Sequence, residues 1–126
     1  MVPESEHILG VKVIDGDVEN HVAICEWTIE SHHLNRYGIA LGGFTAAVAD
    51  VAIGYASALT VDEGIGFTSV NLITTYHRPL NVGKAYFKAK IKRKGKSVLY
   101  AEVEIEQNGK LAGDVVSTLM TFPLNK

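Results

Sequence analysis

The sequence predicts an α+β domain: a curved antiparallel sheet wrapped around one long central helix. Three observations carry this. The stretch Asn35 to Leu59 (NRYGIALGGFTAAVADVAIGYASAL) holds apolar residues at helical spacing. Two segments rich in β-branched and aromatic residues precede it, and about four more follow it without a second helix. No other segment is available to cover the apolar face of such a sheet, so the helix must run through the middle.

Taken in order, Met1 to His7 is expected to fray. Ile8 to Ile14 reads as a first strand or strand pair, and Asp15–Gly16 as the turn after it, continued by the polar residues Asp17–Asn20. His21 to Ile29 (HVAICEWTI) is the second strand. Ser31 to Asn35 is a polar connector into the helix. Asp62 to Gly66 breaks the chain again. Phe67 to Tyr76 reads as one strand, ended by Pro79 and Asn81–Gly83. Ala85 to Arg93 alternates, with Ala85, Phe87, Ala89 and Ile91 on one face and Tyr86, Lys88, Lys90 and Lys92 on the other. Lys94–Gly95 turns the chain into Val98 to Gln107, which sets Leu99, Ala101, Val103 and Ile105 against Tyr100, Glu102, Glu104 and Glu106. The lysine face and the glutamate face would lie side by side in a hairpin. Asn108–Gly109 is a strong hairpin turn, and Leu111 to Phe122 closes the domain before Pro123.

Within the helix, Phe44, Ala47, Val48, Val51, Tyr55, Ala58 and Leu59 form the stripe expected to be buried. Asp50 lies on another arc, among Gly43, Ala46, Ala47, Gly54 and Ser57. At ~18 residues the helix spans roughly 27 Å, the length of a strand of about eight residues. One helix cannot cover a wide sheet completely. The surface left over predicts an oligomer, a dimer first of all.

The bulk numbers narrow the class. A chain of 126 residues builds one domain. Its 47% hydrophobic and 21% charged content is that of an ordinary globular protein. A net charge of −2 argues against a nucleic-acid or anionic-membrane surface. Ile39 to Leu59 is long enough to suggest a membrane span, but its glycines and Asp50 favour a buried central helix. Met1 to Gly10 is polar and acidic, unlike a secretory leader. Cys25 is the one cysteine, so no intrachain disulfide forms, and a reducing cytoplasm is expected.

The chemistry-bearing candidates cluster at the same helix. Asp50 can be read as solvent-side charge. The face around it, however, lacks Lys, Arg, Glu and Gln and offers only glycine, alanine and serine. A carboxylate in that setting needs a raised pKa or a polar partner, and either suits a general base or nucleophile. Gly42–Gly43 can be a flexible start to the helix. It can also present unpaired backbone N–H groups closely to a ligand oxygen, as an oxyanion hole does. Asn35 caps the preceding loop or acts as a neutral donor. His32 and His33 have no partner at metal-ligand spacing and read as loop residues. His77 and Arg78 stand at a strand end beside Pro79, and Arg78 reads as an ordinary surface charge. The turn Lys92-Arg93-Lys94-Gly95-Lys96 is a solvated hairpin end or a phosphate site. Cys25 reads as a small core residue.

Asn35-x6-Gly42-Gly43-x6-Asp50 resembles the hotdog-fold acyl-CoA thioesterases of the PaaI-like and THEM2-like group. Ser69 to Pro79 (SVNLITTYHRP) looks like that family's Ser/Thr strand ending in Tyr-x-Arg-Pro, and Lys92 to Leu99 is similar to its basic-glycine turn. The resemblance implies hydrolysis of an acyl-CoA without metal or prosthetic group. Asp50 would be the base or nucleophile, and the Gly42 N–H with Asn35 would polarise the carbonyl. Ser69, or Thr68 if the register slips, would hold the water. Leu41 and Gly43 would flank the thioester. Arg78 and the turn Arg93, Lys94, Gly95 and Lys96 would meet the CoA phosphates. It also implies a homodimer, or a dimer of dimers, with each site shared: Asn35 and Gly42 from one subunit, Asp50 and Ser69 from the other. The chain departs from the pattern twice. Leu41 stands where the family has His, and Asn71 where an acidic residue is common. An acyl-CoA sensor or carrier without turnover, and a hotdog dehydratase or isomerase, are the rival readings.

Overall fold

The structure, a computed structural model, describes residues 1–125. Its elements run α1 (Glu4–Leu9), β1 (Val11–Asp17), β2 (Val22–Ile29), α2 (Gly42–Ala58), β3 (Ile65–Ser69), β4 (Ile73–Tyr76), β5 (Gly83–Lys94), β6 (Val98–Gln107) and β7 (Lys110–Pro123). The seven strands form one sheet in the order β1-β2-β5-β6-β7-β3, with β4 also on β7. Every described pairing is antiparallel. α2 lies against β1, β2, β5 and β6, so the expected architecture of a sheet around one central helix is the one observed.

The hairpins follow from alternation. Ala85, Phe87, Ala89 and Ile91 of β5 and Leu99, Ala101, Val103 and Ile105 of β6 are all buried under α2. On the opposite face Lys88 sits across from Glu104 and Lys90 across from Glu102, the predicted charge ladder. Trp27 and Phe87 meet edge to face, with ring centroids 6.0 Å apart, and anchor the middle of the core.

Four expectations are corrected. The N-terminus does not fray, because Glu6 is buried and accepts a 2.6 Å bond from the Tyr55 hydroxyl. The Trp27 indole also donates to the Leu9 carbonyl, and Gly10, at φ 80°, closes α1 in the left-handed region. The first turn falls at the end of the expected Asp15–Asn20 stretch rather than at Asp15–Gly16. β1 runs on through a bulge between Val13 and Asp15. The chain reverses at Val18–His21, where Asp17 accepts from the Asn20 backbone and side chain.

Phe67 to Tyr76 is not one strand but two, which makes seven strands rather than about six. Asn71 causes the break. Its carbonyl accepts from the Ser117 hydroxyl at 2.7 Å, and its side-chain oxygen accepts from the Thr118 N–H at 2.9 Å. Those bonds replace regular ladder bonds to β7, so the chain steps out at Val70–Leu72 and rejoins as β4.

The helix stripe is the fourth correction. α2 buries Thr45, Val48, Ala49, Ala52, Ile53, Ala56 and Ser57. Of the expected stripe only Val48 is fully buried; Phe44, Ala47, Val51, Tyr55 and Leu59 are half-buried and Ala58 is exposed. A helix apolar on nearly every side gives periodicity no polar face to contrast with. Its alanines pack on the sheet because small side chains permit close approach. Among the described residues no helix is long and apolar enough to cross a membrane.

Candidate active site

The start of α2 is held from several directions. Asn35 donates its backbone N–H to the Ile39 carbonyl, and its side-chain oxygen accepts from the Tyr37 N–H at 2.8 Å. Asn35 therefore does close its loop, and what remains for a ligand is its Nδ2 donor. The Ala40 N–H donates to the Leu80 carbonyl and the Leu41 N–H to the His33 carbonyl. His33, expected to be a loop residue, is fully buried against Trp27 and Phe44, with ring centroids 5.2 and 5.3 Å away. Its Nδ1 accepts from the Glu30 N–H at 2.9 Å. Burial pushes its pKa below the ordinary histidine value.

Leu41 occupies the N-cap with no side-chain hydrogen bond. The helix thus opens without the Ser, Thr, Asp or Asn that would normally satisfy its first amides. The Gly42 and Gly43 N–H groups stand at the positive end of the helix with no carbonyl of a preceding turn to receive them. Tyr76 reaches the same turn, its hydroxyl donating to the Gly42 carbonyl at 2.6 Å. A Cβ on Gly42 would lie only 3.0 Å from that hydroxyl, whereas one on Gly43 would meet nothing within 4 Å. Asn35, Gly42, Thr45, Tyr76 and Arg78 line one cavity of about 380 Å³, whose apolar walls include Leu80 and Ile105. Tyr76 and Thr45 were not singled out from the sequence. The Tyr-x-Arg-Pro run was the signal that could have found Tyr76.

Asp50 sits two turns further along, exposed in the single chain. Its Oδ1 accepts a 2.8 Å bond from the Ser69 hydroxyl, the polar partner its setting required. Ser69, not Thr68, makes this bond, although both line a second cavity of about 270 Å³ with Asp50, Gly54 and Phe67. That cavity opens beside β3, an edge strand whose outer side has no neighbour among the described residues. The two cavities share no residue. Gly42 and Asp50 are eight residues apart, which is about 12 Å of helix rise. The structure therefore brings Asn35, Gly42 and Arg78 together, and Asp50 with Ser69 and Thr68, but does not join the two groups within one chain.

The basic turn lies elsewhere. The Lys94 ammonium donates to the Thr60 carbonyl at 3.1 Å and stands 3.6 Å from Asp62, at the C-terminal end of α2. Arg93, Gly95 and Lys96 belong to the same hairpin turn, and none of the four lines the cavity that holds Gly42 and Arg78. Cys25 is fully buried, and burial with Glu6 nearby pushes its thiol up to about 12, so it is an inert core residue.

A profile of the thioesterase superfamily matches residues 37–112, more than half of the sequence, from the Asn35 loop to β7. The chain belongs to the thioesterase superfamily. It is 32% identical over 91 residues to acyl-coenzyme A thioesterase 13 of Mus musculus, a match spanning 70% of this chain and 64% of that protein. It is 29% identical over 110 residues to the Caenorhabditis elegans protein F42H10.6, spanning 85% of this chain and again 64% of the other. The chain thus spans somewhat under two thirds of these relatives. Among solved structures, the phenylacetic acid degradation-related protein of Ralstonia eutropha superposes with a TM-score of 0.91 at 26% identity, covering 95% of this chain and 91% of that one. A variant of the phenylacetic acid degradation protein PaaI from Thermus thermophilus gives 0.84 at 26%, covering 94% and 98%. The fold is the hotdog that the sequence resemblance implied.

Proposed function

We propose that this thioesterase-superfamily protein hydrolyses an acyl-CoA to a carboxylic acid and CoA at a site shared between two copies. The observation that carries the reading is the Asp50–Ser69 pair at an open sheet edge. It lies on the same helix as an uncapped glycine N-terminus but too far along to reach the same carbonyl. Pairing two chains at the β3 edge is the simplest way to place the Asp50 of one beside the Gly42 of the other. The edge strand's unpaired backbone groups favour such pairing.

In this site Asp50 takes a proton from water, and the water oxygen bonds to the thioester carbonyl carbon. The carbonyl electrons move onto oxygen, where the partner's Gly42 N–H and the partner's Asn35 receive them. Collapse breaks the C–S bond, and the CoA sulfur leaves with the proton returned from Asp50. Direct attack by Asp50, through a mixed anhydride that water then opens, balances equally well. A positioned base contributes about 10²–10⁴-fold and each oxyanion donor about 10²–10³-fold. Ser69 holds Oδ1 of the exposed Asp50, which leaves Oδ2 to act as the base. Arg78, beside the Gly42 cavity, is the better placed cation for a CoA phosphate. The Arg93–Lys96 turn would have to come from another copy.

The test is release of free thiol from a panel of acyl-CoAs by the wild type, Asp50→Ala and Asp50→Asn. Turnover in the wild type that both variants lose supports the reading. Tight acyl-CoA binding without thiol release would replace it with a sensor or carrier. A protein that stays monomeric while hydrolysing would defeat the shared site. Leu41→His should change turnover more than CoA affinity, because residue 41 stands at the N-cap beside the oxyanion amides.

A further inference from the structure

The two glycines that open α2 are the residues least able to hold a fixed geometry. Glycine has the widest backbone freedom, and the N-cap Leu41 supplies no side-chain bond to restrain them. Yet an oxyanion donor works by being aimed before the reaction begins. Tyr76 supplies the restraint from outside the helix. Its hydroxyl donates to the Gly42 carbonyl at 2.6 Å. Its ring fills the space a side chain would take: a Cβ on Gly42 would stand 3.0 Å from the hydroxyl and 3.2 Å from Cζ. A larger residue at 42 would therefore push the phenol away.

The tyrosine is itself anchored. It ends β4 and pairs with Gly113 of β7. Gly113 admits that approach, because a Cβ there would fall 2.9 Å from the Thr75 carbonyl oxygen. The next residue, His77, sets its Nε2 2.6 Å from the Asp114 carboxylate, and the His77 and Arg78 N–H groups both donate to the Ala112 carbonyl. β4 thus fixes the phenol, and the phenol fixes the first peptide group of the helix.

We propose that Tyr76 is a positioning residue for the hydrolysis: its hydroxyl ties the Gly42 carbonyl to β4 and so keeps the Gly42 N–H aimed at the thioester oxygen. The proposal rests on the hydrolase reading of Asp50 and Gly42. The phenol acts through the backbone, because its one proton is committed to Gly42. The same bond draws charge onto the Gly42 carbonyl and strengthens the Gly43 N–H across the shared amide. Loosening the tie leaves substrate binding in place and weakens only what the turn does for the developing oxyanion.

The experiment compares the unaltered chain with Tyr76→Phe, which removes the hydroxyl and keeps the ring. Tyr76 is 51% exposed, so the fold tolerates the change, and the thermal midpoint and elution volume check it. On an acyl-CoA that the protein turns over, kcat should drop about ten- to a hundredfold with KM held within about twofold. The kcat–pH curves of the two proteins should run parallel up to about pH 9. Partial burial lifts the phenol above its ordinary 10, so it stays protonated throughout. A loss carried by KM would make Tyr76 a substrate contact, and a pH limb missing from Tyr76→Phe would make it a proton donor; either result overturns the proposal. Backbone nitrogen relaxation without substrate reads the tie alone. The Gly42 and Gly43 amide order parameters should fall from about 0.85 toward about 0.6 in Tyr76→Phe. A fall in a protein that releases no thiol upholds the tie and defeats the hydrolase reading. Turnover that depends on Asp50 but is the same in Tyr76→Phe does the reverse.

Discussion

On its sheet side α2 buries Val48, Ala49, Ala52, Ile53 and Ala56 completely; on its other side Ala47, Val51, Gly54 and Tyr55 are half-buried and Asp50 is exposed. The two faces are made from nearly the same small and apolar residues. What separates them is what lies opposite. The sheet face meets β2, β5 and β6 and becomes core. The open face meets only α1 at one end and the lip of β3 at the other, and becomes cavity. Residue type fixes how apolar a helix is, while the neighbouring element fixes whether that apolarity becomes core or lines an open cavity.

That contrast predicts a separation of activity from stability. Asp50→Asn should lower kcat by about 10²–10⁴-fold and leave the thermal midpoint nearly unmoved, since the side chain is exposed. Equal losses in both readouts would make Asp50 a structural residue. Ile53, one turn away on the sheet face, should behave oppositely. Ile53→Ala should cost about 2–5 kcal/mol in denaturant unfolding through lost burial and the cavity left behind. Its turnover per folded molecule should be retained.

Smaller effects probe the start of the helix. Leu41→Ser supplies the missing N-cap and should raise stability by about 1 kcal/mol. No gain would mean that the first amides already have partners. The smallest effect is a pH dependence at His33. Burial holds its folded pKa below the ordinary 6.5, so the unfolded chain takes up a proton first as pH falls. Its contribution is fully present above about 6.5 and is lost as pH drops toward the folded value. Wild-type stability should therefore fall more between pH 7.5 and 5.5 than that of His33→Asn, read by denaturant midpoints. Parallel curves would show that His33 is not the group responsible.

How far the site could be read in advance depended on the range of the interactions involved. The places of Asp50 on the helix, of Gly42 at its start and of Asn35 in the loop before it were legible because helix position and glycine chemistry are local properties. The choice of Ser69 over Thr68 needed the pairing of β3 with β7, which decides which hydroxyl turns toward α2. The contact of Tyr76 with Gly42 was out of reach for the same reason, since the bond spans thirty-four residues, although the Tyr-x-Arg-Pro run marked the residue. The split between β3 and β4 turned on Asn71, whose side chain competes with the ladder of a strand far along the chain.

The sequence by itself determined the element types, the alternation that made β5 and β6 a charged hairpin, and the single long helix that had to cover the sheet. Periods of two and of three to four residues depend only on backbone geometry, so they survive without tertiary information. The tertiary structure decided which face of α2 is core, where α1 docks, and that Gly42 and Asp50 line separate cavities. Those outcomes depend on which distant surfaces meet, and a helix apolar on nearly every side leaves that choice to packing.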